Sequence, residues 1–278
     1  MSRSTSPLRV TFLGTGTSVG VPVLMCKCAV CSSSDPRNHR LRASLLLEWR
    51  APSRPSAATQ CGQRTVKVLV DTATDLRQQA LRVGLDRVDG VLYTHQHVDH
   101  LLGLDELRMY NFLQRQSISL YGSDATMEAI HRTFAYAFDR QASGVPRVVL
   151  NQVSEAFELL GRCIEPIPVQ HDKITVFAYR IGDFAYVTDC SSIPESSAEK
   201  MRNLEVLVID ALRREPHPAH FTLEQALAEV ERLRPRQAYL THLSHDFDHA
   251  TLLAALPATV GVAYDGLVLE VGGKMRSD

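Results

Sequence analysis

The sequence predicts an α+β fold in which two mixed β-sheets pack face to face and helices cover their outer surfaces. Three observations lead there. Strand-like apolar runs fall into two successive β-rich halves, the second opening near Val148. The polar residues best suited to bind metal stand at the ends of such runs. The 278 residues carry 45% hydrophobic content, enough for a sizeable core, and no linker or internal repeat divides them. The chain is therefore read as one domain, residues 1–278.

In order, Leu8 to Leu13 alternates as a strand and runs into Gly14-Thr15-Gly16-Thr17-Ser18-Val19-Gly20. This looks like a dinucleotide-binding loop, but no helix follows to meet a pyrophosphate, because the chain continues into Val21-Pro22. A turn that lets backbone approach a cleft is expected instead. Cys26, Cys28 and Cys31 are too closely spaced for an ordinary disulfide framework and suit a metal as thiolates. Cys61, Cys163 and Cys190 are scattered and read as inert thiols. Arg37, Arg40 and Arg42 read as a solvated strand entry rather than phosphate contacts. Ala43 to Trp49 and Val66 to Val70 are the second and third strands. Arg50 to Arg64 between them, rich in Pro, Ser and Ala, reads as a solvated hairpin loop rather than a flap over substrate. Asp71 ends the third strand, where it can cap a helix starting near Ala73.

The apolar run Val91-Leu92-Tyr93 leads into Thr94-His95-Gln96-His97-Val98-Asp99-His100. His95 and His97, two apart in extended chain, point the same way and can share one ion, while Asp99 and His100 sit where the chain turns into a helix and can face a second. Imidazole and carboxylate donors suit Zn²⁺, Mn²⁺, Fe²⁺ or Ni²⁺. Helical spacing covers residues 101–115 and 125–140, with a short strand at Ser117 to Tyr121 between them. Met109, Phe112, Phe134, Tyr136 and Phe138 are expected in the core or cleft wall. In the second half, strands at 164–169, 175–181, 184–188, 205–210 and 237–241 surround a helix over 223–233 capped by Thr222. His171, Asp189 and His242 each stand at the end of one of these runs. A net charge of −1 supplies no global basic field for nucleic acid or an acidic membrane. Met1 to Arg9 is polar and no apolar run is long enough to span a bilayer, so a cytoplasmic protein is expected.

His-x-His-x-Asp-His after a strand resembles the signature of the metallo-β-lactamase-fold hydrolases. That resemblance implies a four-layer αββα sandwich and two divalent ions, Zn or Mn. It implies that His95, His97 and His171 hold one ion, that Asp99, His100 and His242 hold the other, that Asp189 bridges, and that Asp71 supports the histidines from behind. The cysteine cluster needs a fourth ligand, and His245, in Thr241-His242-Leu243-Ser244-His245, can complete a structural zinc site with Cys26, Cys28 and Cys31. Cysteine cluster, central motif and late Thr-His-x-Ser-His together resemble the PhnP-type cyclic phosphodiesterases.

This closer resemblance implies hydrolysis of a small cyclic phosphodiester, of the phosphoribosyl 1,2-cyclic phosphate or 2′,3′-cyclic nucleotide type. Hydroxide between the ions attacks, with Asp99 in the catalytic set. His220, shortly before an amphipathic helix, protonates the leaving oxygen, and nearby His217 competes for that assignment. No stable nucleic-acid complex and no membrane partner are expected; a homodimer stays open. A transfer-RNA 3′-processing nuclease is disfavoured because no basic, glycine-rich arm is evident. A thioester or lactam hydrolase has no positive signature here. A non-catalytic metal-binding module is disfavoured by the intact His95, His97, Asp99 and His100 set.

Overall fold

The computed structural model describes residues 6–52, 63–139 and 141–272. Residues 53–62, most of the expected hairpin loop, lie outside the described residues, and so does any role of that loop as a cover. In the first half the strands are β1 (Leu8–Gly14), β2 (Ser44–Pro52), β3 (Gln63–Val70), β4 (Gly90–Leu92), β5 (Ile118–Gly122) and β6 (Val148–Gln152). In the second they are β7 (Phe157–Leu159), β8 (Arg162–His171), β9 (Ile174–Ile181), β10 (Phe184–Val187), β11 (Val206–Asp210), β12 (Gln237–Thr241), β13 (Val260–Val262) and β14 (Val268–Val271). They form two seven-stranded sheets, ordered β14-β1-β2-β3-β4-β5-β6 and β13-β12-β11-β10-β9-β8-β7. Each sheet is antiparallel in one half and parallel in the other: β3 to β6 run parallel in the first, β10 to β13 in the second.

Strand alternation explains the layering. In β2, Leu45, Leu47 and Trp49 face inward and join Phe177, Tyr179, Phe184, Tyr186 and Val208 of the other sheet in one buried cluster. Leu46, between them, points outward to a cluster with Leu69, Val91 and Tyr93, closed by α1 (Leu76–Val83), α3 (Leu107–Gln114) and α4 (Asp124–Thr133). Opposite, Leu207, Ile209, Ala238 and Leu240 pack under α5 (Glu195–Glu199), α6 (Leu223–Leu233) and α7 (His249–Ala255). A strand covered on both faces reads as a continuous apolar run, and each fully buried Leu or Phe contributes about 1.5–3 kcal/mol. This is the four-layer αββα arrangement.

Two expected helices are shorter than their periodicity. The stretch over 101–115 is split into α2 (Val98–Leu101), a 3-10 turn over Leu102–Glu106, and α3. The backbone around the central motif is tied sideways instead of continuing the helical ladder. The amide of Thr72 donates to His100 O at 2.9 Å, its hydroxyl to Leu101 O at 3.0 Å, and Gly103 N to Thr72 O at 2.9 Å. Gly103 lies so close that an added Cβ would stand 2.2 Å from Ala73 O. The second helix stops at Thr133, because Phe134 leaves helical geometry to bury its ring. Met109 and Phe112 correct an expectation: they are 54% and 75% exposed, on the outer face of α3 rather than in the core. Of the others, Phe134 is buried, Phe138 is partly buried against the same cluster, and Tyr136 is 44% exposed. The helix at 223–233 starts and ends as predicted, since Thr222 and Gln225 form a reciprocal capping box.

Candidate metal centre

The parallel strands β3, β4, β10, β11 and β12 bring Asp71, the central motif, Asp189, Asp210 and His242 to one rim of the sandwich. Asp71, Asp189 and His242 share a local device: each directly follows a strand or lies one residue beyond it, with φ of 62°, 50° and 57°. Left-handed backbone is costly for a side-chain-bearing residue, and here it bends the chain at the strand end. Asp71 is not a helix cap; the residue at that position of α1 is Asp75.

Protons can be placed from the partners. The Asp71 carboxylate, wholly buried, accepts from Thr94 N at 2.8 Å, from the Thr94 hydroxyl at 2.8 Å and from His100 Nδ1 at 2.7 Å. His100 therefore carries its proton on Nδ1, and its Nε2 lone pair faces Asp99 at 3.2 Å and Asp189 at 3.3 Å. His95 donates from Nδ1 to the Thr94 hydroxyl at 3.0 Å, and His171 from Nδ1 to Ala219 O at 2.7 Å. Their Nε2 lone pairs point at His97 Nδ1, at 2.9 and 3.3 Å. Burial holds the His95, His97 and His242 imidazoles below their ordinary range, in the neutral form that ligates. Burial also opposes charge on His100, but Asp189, Asp71 and Asp99 outweigh it and push that imidazole up, so the carboxylates draw positive charge to Nε2, whether a proton or a metal ion.

Acceptors facing acceptors need a cation between them. His100 Nε2 and both nitrogens of His242 are buried without a hydrogen-bond partner. Four-coordinate metal–nitrogen bonds near 2.0–2.1 Å put neighbouring donor atoms about 3.3–3.4 Å apart, close to the spacings here. Four groups have donor atoms within reach of one ion: His95, His97 and His171; Asp99, His100, Asp189 and His242; and two that include His220, with His171 and Asp189 and with Asp210 and His242. Asp189 reaches the first two, with Oδ1 3.4 Å from His242 and Oδ2 3.9 Å from His95. The donor set fits divalent metal.

Beside this centre lies His220, 9% exposed, its ring stacked on His242 at 4.8 Å and its Nε2 4.0 Å from Asp189. Its Nδ1 is 2.9 Å from Asp210 Oδ2, which also accepts from Cys190 N. Burial pushes Asp210 up to about 8. Sequence reasoning gave Asp210 no part beyond ending β11; the signal available was its position at a buried strand end, the same as that of Asp189. His217 lies further out, its ring 5.0 Å from that of His220.

Across the rim, His245 Nδ1 is 3.3 Å from Cys26 Sγ and 3.5 Å from both Cys28 Sγ and Cys31 Sγ. Ligands of one tetrahedral zinc would stand about 3.6 Å apart in such a sulfur–nitrogen pair. The amide of Cys31, first among several hydrogen-bond donors, lowers the Cys28 thiol to about 6. The glycine loop ties this site to His242: Leu243 N donates to Thr15 O at 2.9 Å, and Gly16 N to Leu41 O at 2.8 Å. Backbone packs so tightly there that a Cβ on Gly14 would stand 2.0 Å from Arg42 O. The arginines expected to be solvated are all engaged: Arg37 pairs with Asp35, Arg42 with Asp75, and wholly buried Arg40 donates to Ser244 O and Phe247 O.

A family model described as a beta-lactamase superfamily domain matches residues 66–243, from β3 through His242. The chain belongs to that superfamily. A diphosphatase from the PhnP family superposes with a TM-score of 0.83 and 40% identity, covering 94% of this chain and 97% of that one. An octanoyltransferase of Porphyromonas gingivalis is 34% identical over 265 residues, 94% of this chain but 51% of that protein. A ribonuclease Z of Bradyrhizobium diazoefficiens is 28% identical over 176 residues, 61% of this chain and 48% of that protein. The chain spans about half the length of these two curated relatives. The superfamily fold and the histidine–aspartate clusters give this chain a set of side chains suited to divalent metal. No helix among the described residues is long and apolar enough to cross a membrane.

Proposed function

We propose that this hydrolase opens small cyclic phosphodiesters, and the observation that carries the reading is His220. A buried imidazole next to the ligand cluster, held by Asp210 and aimed at Asp189, is placed to give a proton to a departing oxygen. His95, His97 and His171 would hold one divalent ion, Zn or Mn, and Asp99, His100 and His242 a second, with Asp189 between them. Such a pair, when bound, supplies Lewis acidity and lowers the pKa of shared water. Asp71, Thr94 and Ala219 O keep the His100, His95 and His171 imidazoles in one tautomer, each with its Nε2 left to ligate. Asp210 does the same for His220, leaving its Nε2 directed at the centre. Cys26, Cys28, Cys31 and His245 would hold a structural zinc that fixes the His242 loop against the glycine loop.

The relationship to a PhnP-family diphosphatase supports chemistry at phosphorus. The transferase name of the longer relative belongs to a protein of which this chain matches half, and no acyl transfer is carried over. The test is turnover by metal-loaded enzyme of a 1,2- or 2′,3′-cyclic ribose phosphate against a linear diester, a thioester and a β-lactam, with His220→Ala alongside. Preference for the cyclic ester, lost in the variant, supports the reading. Better hydrolysis of a linear ester or thioester, indifferent to His220→Ala, removes both substrate class and acid.

A further inference from the structure

Three thiolates and a neutral imidazole around one divalent ion carry one net negative charge. At the Cys26, Cys28, Cys31 and His245 cluster that charge would sit against protein, because Cys31 is buried and Cys26 and Cys28 are partly so. Two amides answer a share of it: Val23 N donates to Cys31 Sγ at 3.3 Å, and Cys31 N to Cys28 Sγ at 3.4 Å. Lys27, between two of the cysteines, is exposed, and its charge is screened by solvent.

The opposite charge is buried beside the cluster, in Arg40. Its backbone pairs with Val21, Arg40 N donating to Val21 O at 2.7 Å and Val21 N to Arg40 O at 2.9 Å. Val21 packs in one small apolar cluster with the three cysteines. The guanidinium crosses to the other ligand loop, where Nη1 donates to Ser244 O at 3.0 Å, the carbonyl directly before His245, and Nη2 to Phe247 O at 2.7 Å. Nη2 also donates to Asn38 Oδ1 at 3.2 Å, while Nε has no hydrogen-bond partner. No carboxylate among the described residues pairs with this wholly buried cation. Those on neighbouring segments are engaged elsewhere: Asp35 with Arg37, Asp265 with Arg82, and Asp248 with Asn38 Nδ2 and Thr251 N. A buried charge with only neutral partners is costly, and a neutral donor would hold the same carbonyls without that cost.

We propose that Arg40 is the countercharge of the cysteine–histidine site, a positioning residue that raises the affinity of three thiolates for a divalent ion. With the ion bound, the guanidinium and the thiolate–metal group neutralise each other across the two loops that Arg40 joins. Metal binding and the burial of Arg40 therefore favour each other. The inference rests on the structural-zinc reading of this cluster and adds that its affinity depends on a residue that is not a ligand.

The experiment titrates the full chain with Co²⁺ and follows the sulfur-to-cobalt charge-transfer absorption, which the sulfur-free histidine–aspartate donors do not give; competition by Zn²⁺ then yields the zinc affinity. Arg40→Gln keeps a donor for one loop carbonyl but no charge, and should bind about 10- to 100-fold more weakly. Arg40→Lys keeps the charge without the fork and should recover most of that loss, whereas a clamp on the two carbonyls would be lost equally in both. Lys27→Gln should leave the affinity unchanged. A loss in Arg40→Lys as large as in Arg40→Gln, or an equal loss in Lys27→Gln, overturns the countercharge. Should Arg40→Gln not fold, Arg40→Lys decides against wild type: retained affinity supports the inference, and a loss of about 10-fold or more overturns it. A wild type without the sulfur-to-cobalt absorption removes the structural-zinc reading and the inference with it. Absorption and affinity equal in wild type and Arg40→Gln leave that reading standing and remove the role of Arg40 alone.

Discussion

Asp71→Asn is the substitution that most sharply tests how the metal centre is held. Its left-handed backbone, φ 62°, is one that Asn adopts readily, and the side chains have nearly the same shape. What changes is the hydrogen-bond code. Asp71 accepts three bonds, Oδ1 from Thr94 N and Oδ2 from the Thr94 hydroxyl and His100 Nδ1. An amide has only one acceptor atom. With its oxygen towards Thr94 N, its NH₂ faces His100 Nδ1–H, and the imidazole must switch tautomer, putting a proton on the nitrogen that faces Asp99 and Asp189. With the oxygen towards His100, the buried Thr94 amide is left unpaired, at a cost of about 1–3 kcal/mol. Loss of such a supporting bond lowers metal affinity about 10- to 100-fold. Chelator competition on wild type and variant, with thermal unfolding of both, reads the two costs. Metal affinity within twofold of wild type, at unchanged Tm, refutes the assignment of the His100 proton by Asp71.

Four further outcomes are expected. His220→Ala should lower kcat on a cyclic ester by about 10²–10⁴-fold while bound metal stays constant, checked by steady-state kinetics and elemental analysis. Cys28→Ser should cost one zinc per chain and lower the Tm, because the cluster joins two loops at the rim. Gly14→Ala should destabilise by about 1–3 kcal/mol in urea unfolding, as its Cβ meets backbone at 2.0 Å. Burial holds His249 below its ordinary pKa, so its contribution to stability is present above the unfolded value and fades as pH falls through it. The drop in urea midpoint from pH 7.5 to 5 should therefore be smaller in His249→Gln than in wild type.

The strands were legible because the four-layer core buries both faces of most of them, leaving runs such as Val206-Leu207-Val208-Ile209 that no helix of this length would need. The ligand candidates were legible because six residues hold three imidazoles and a carboxylate, and because His171, Asp189 and His242 stand where runs end. Asp210 was hidden for a physical reason: an Asp closing an apolar strand looks like the start of a turn, and only tertiary contacts, with His220 and with Cys190 N, give it partners. The break in the helix after His100 was hidden likewise, since helical periodicity cannot register a threonine from another loop taking its carbonyls. Met109 and Phe112 misled because apolar spacing reports a face, not whether anything covers it.

The left-handed turns at Asp71, Asp189 and His242 explain why the centre needs both sheets. A parallel strand delivers its last residue to the rim pointing along the strand, and neighbouring strands deliver theirs side by side rather than towards one another. Bending the backbone at the strand end redirects the side chain across the rim, and doing so in both sheets makes the donors converge. Each bend costs about 1–3 kcal/mol. That cost is sustained by what grips the bends: Asp71 N on Leu92 O, Leu243 N on Thr15 O, and Arg40 on the carbonyls of Ser244 and Phe247. The glycine loop, the buried arginine and the cysteine cluster thus do one job together. They hold the loop after β12 in the left-handed geometry found at His242, with the cysteine–histidine cluster packed beside the histidine–aspartate centre.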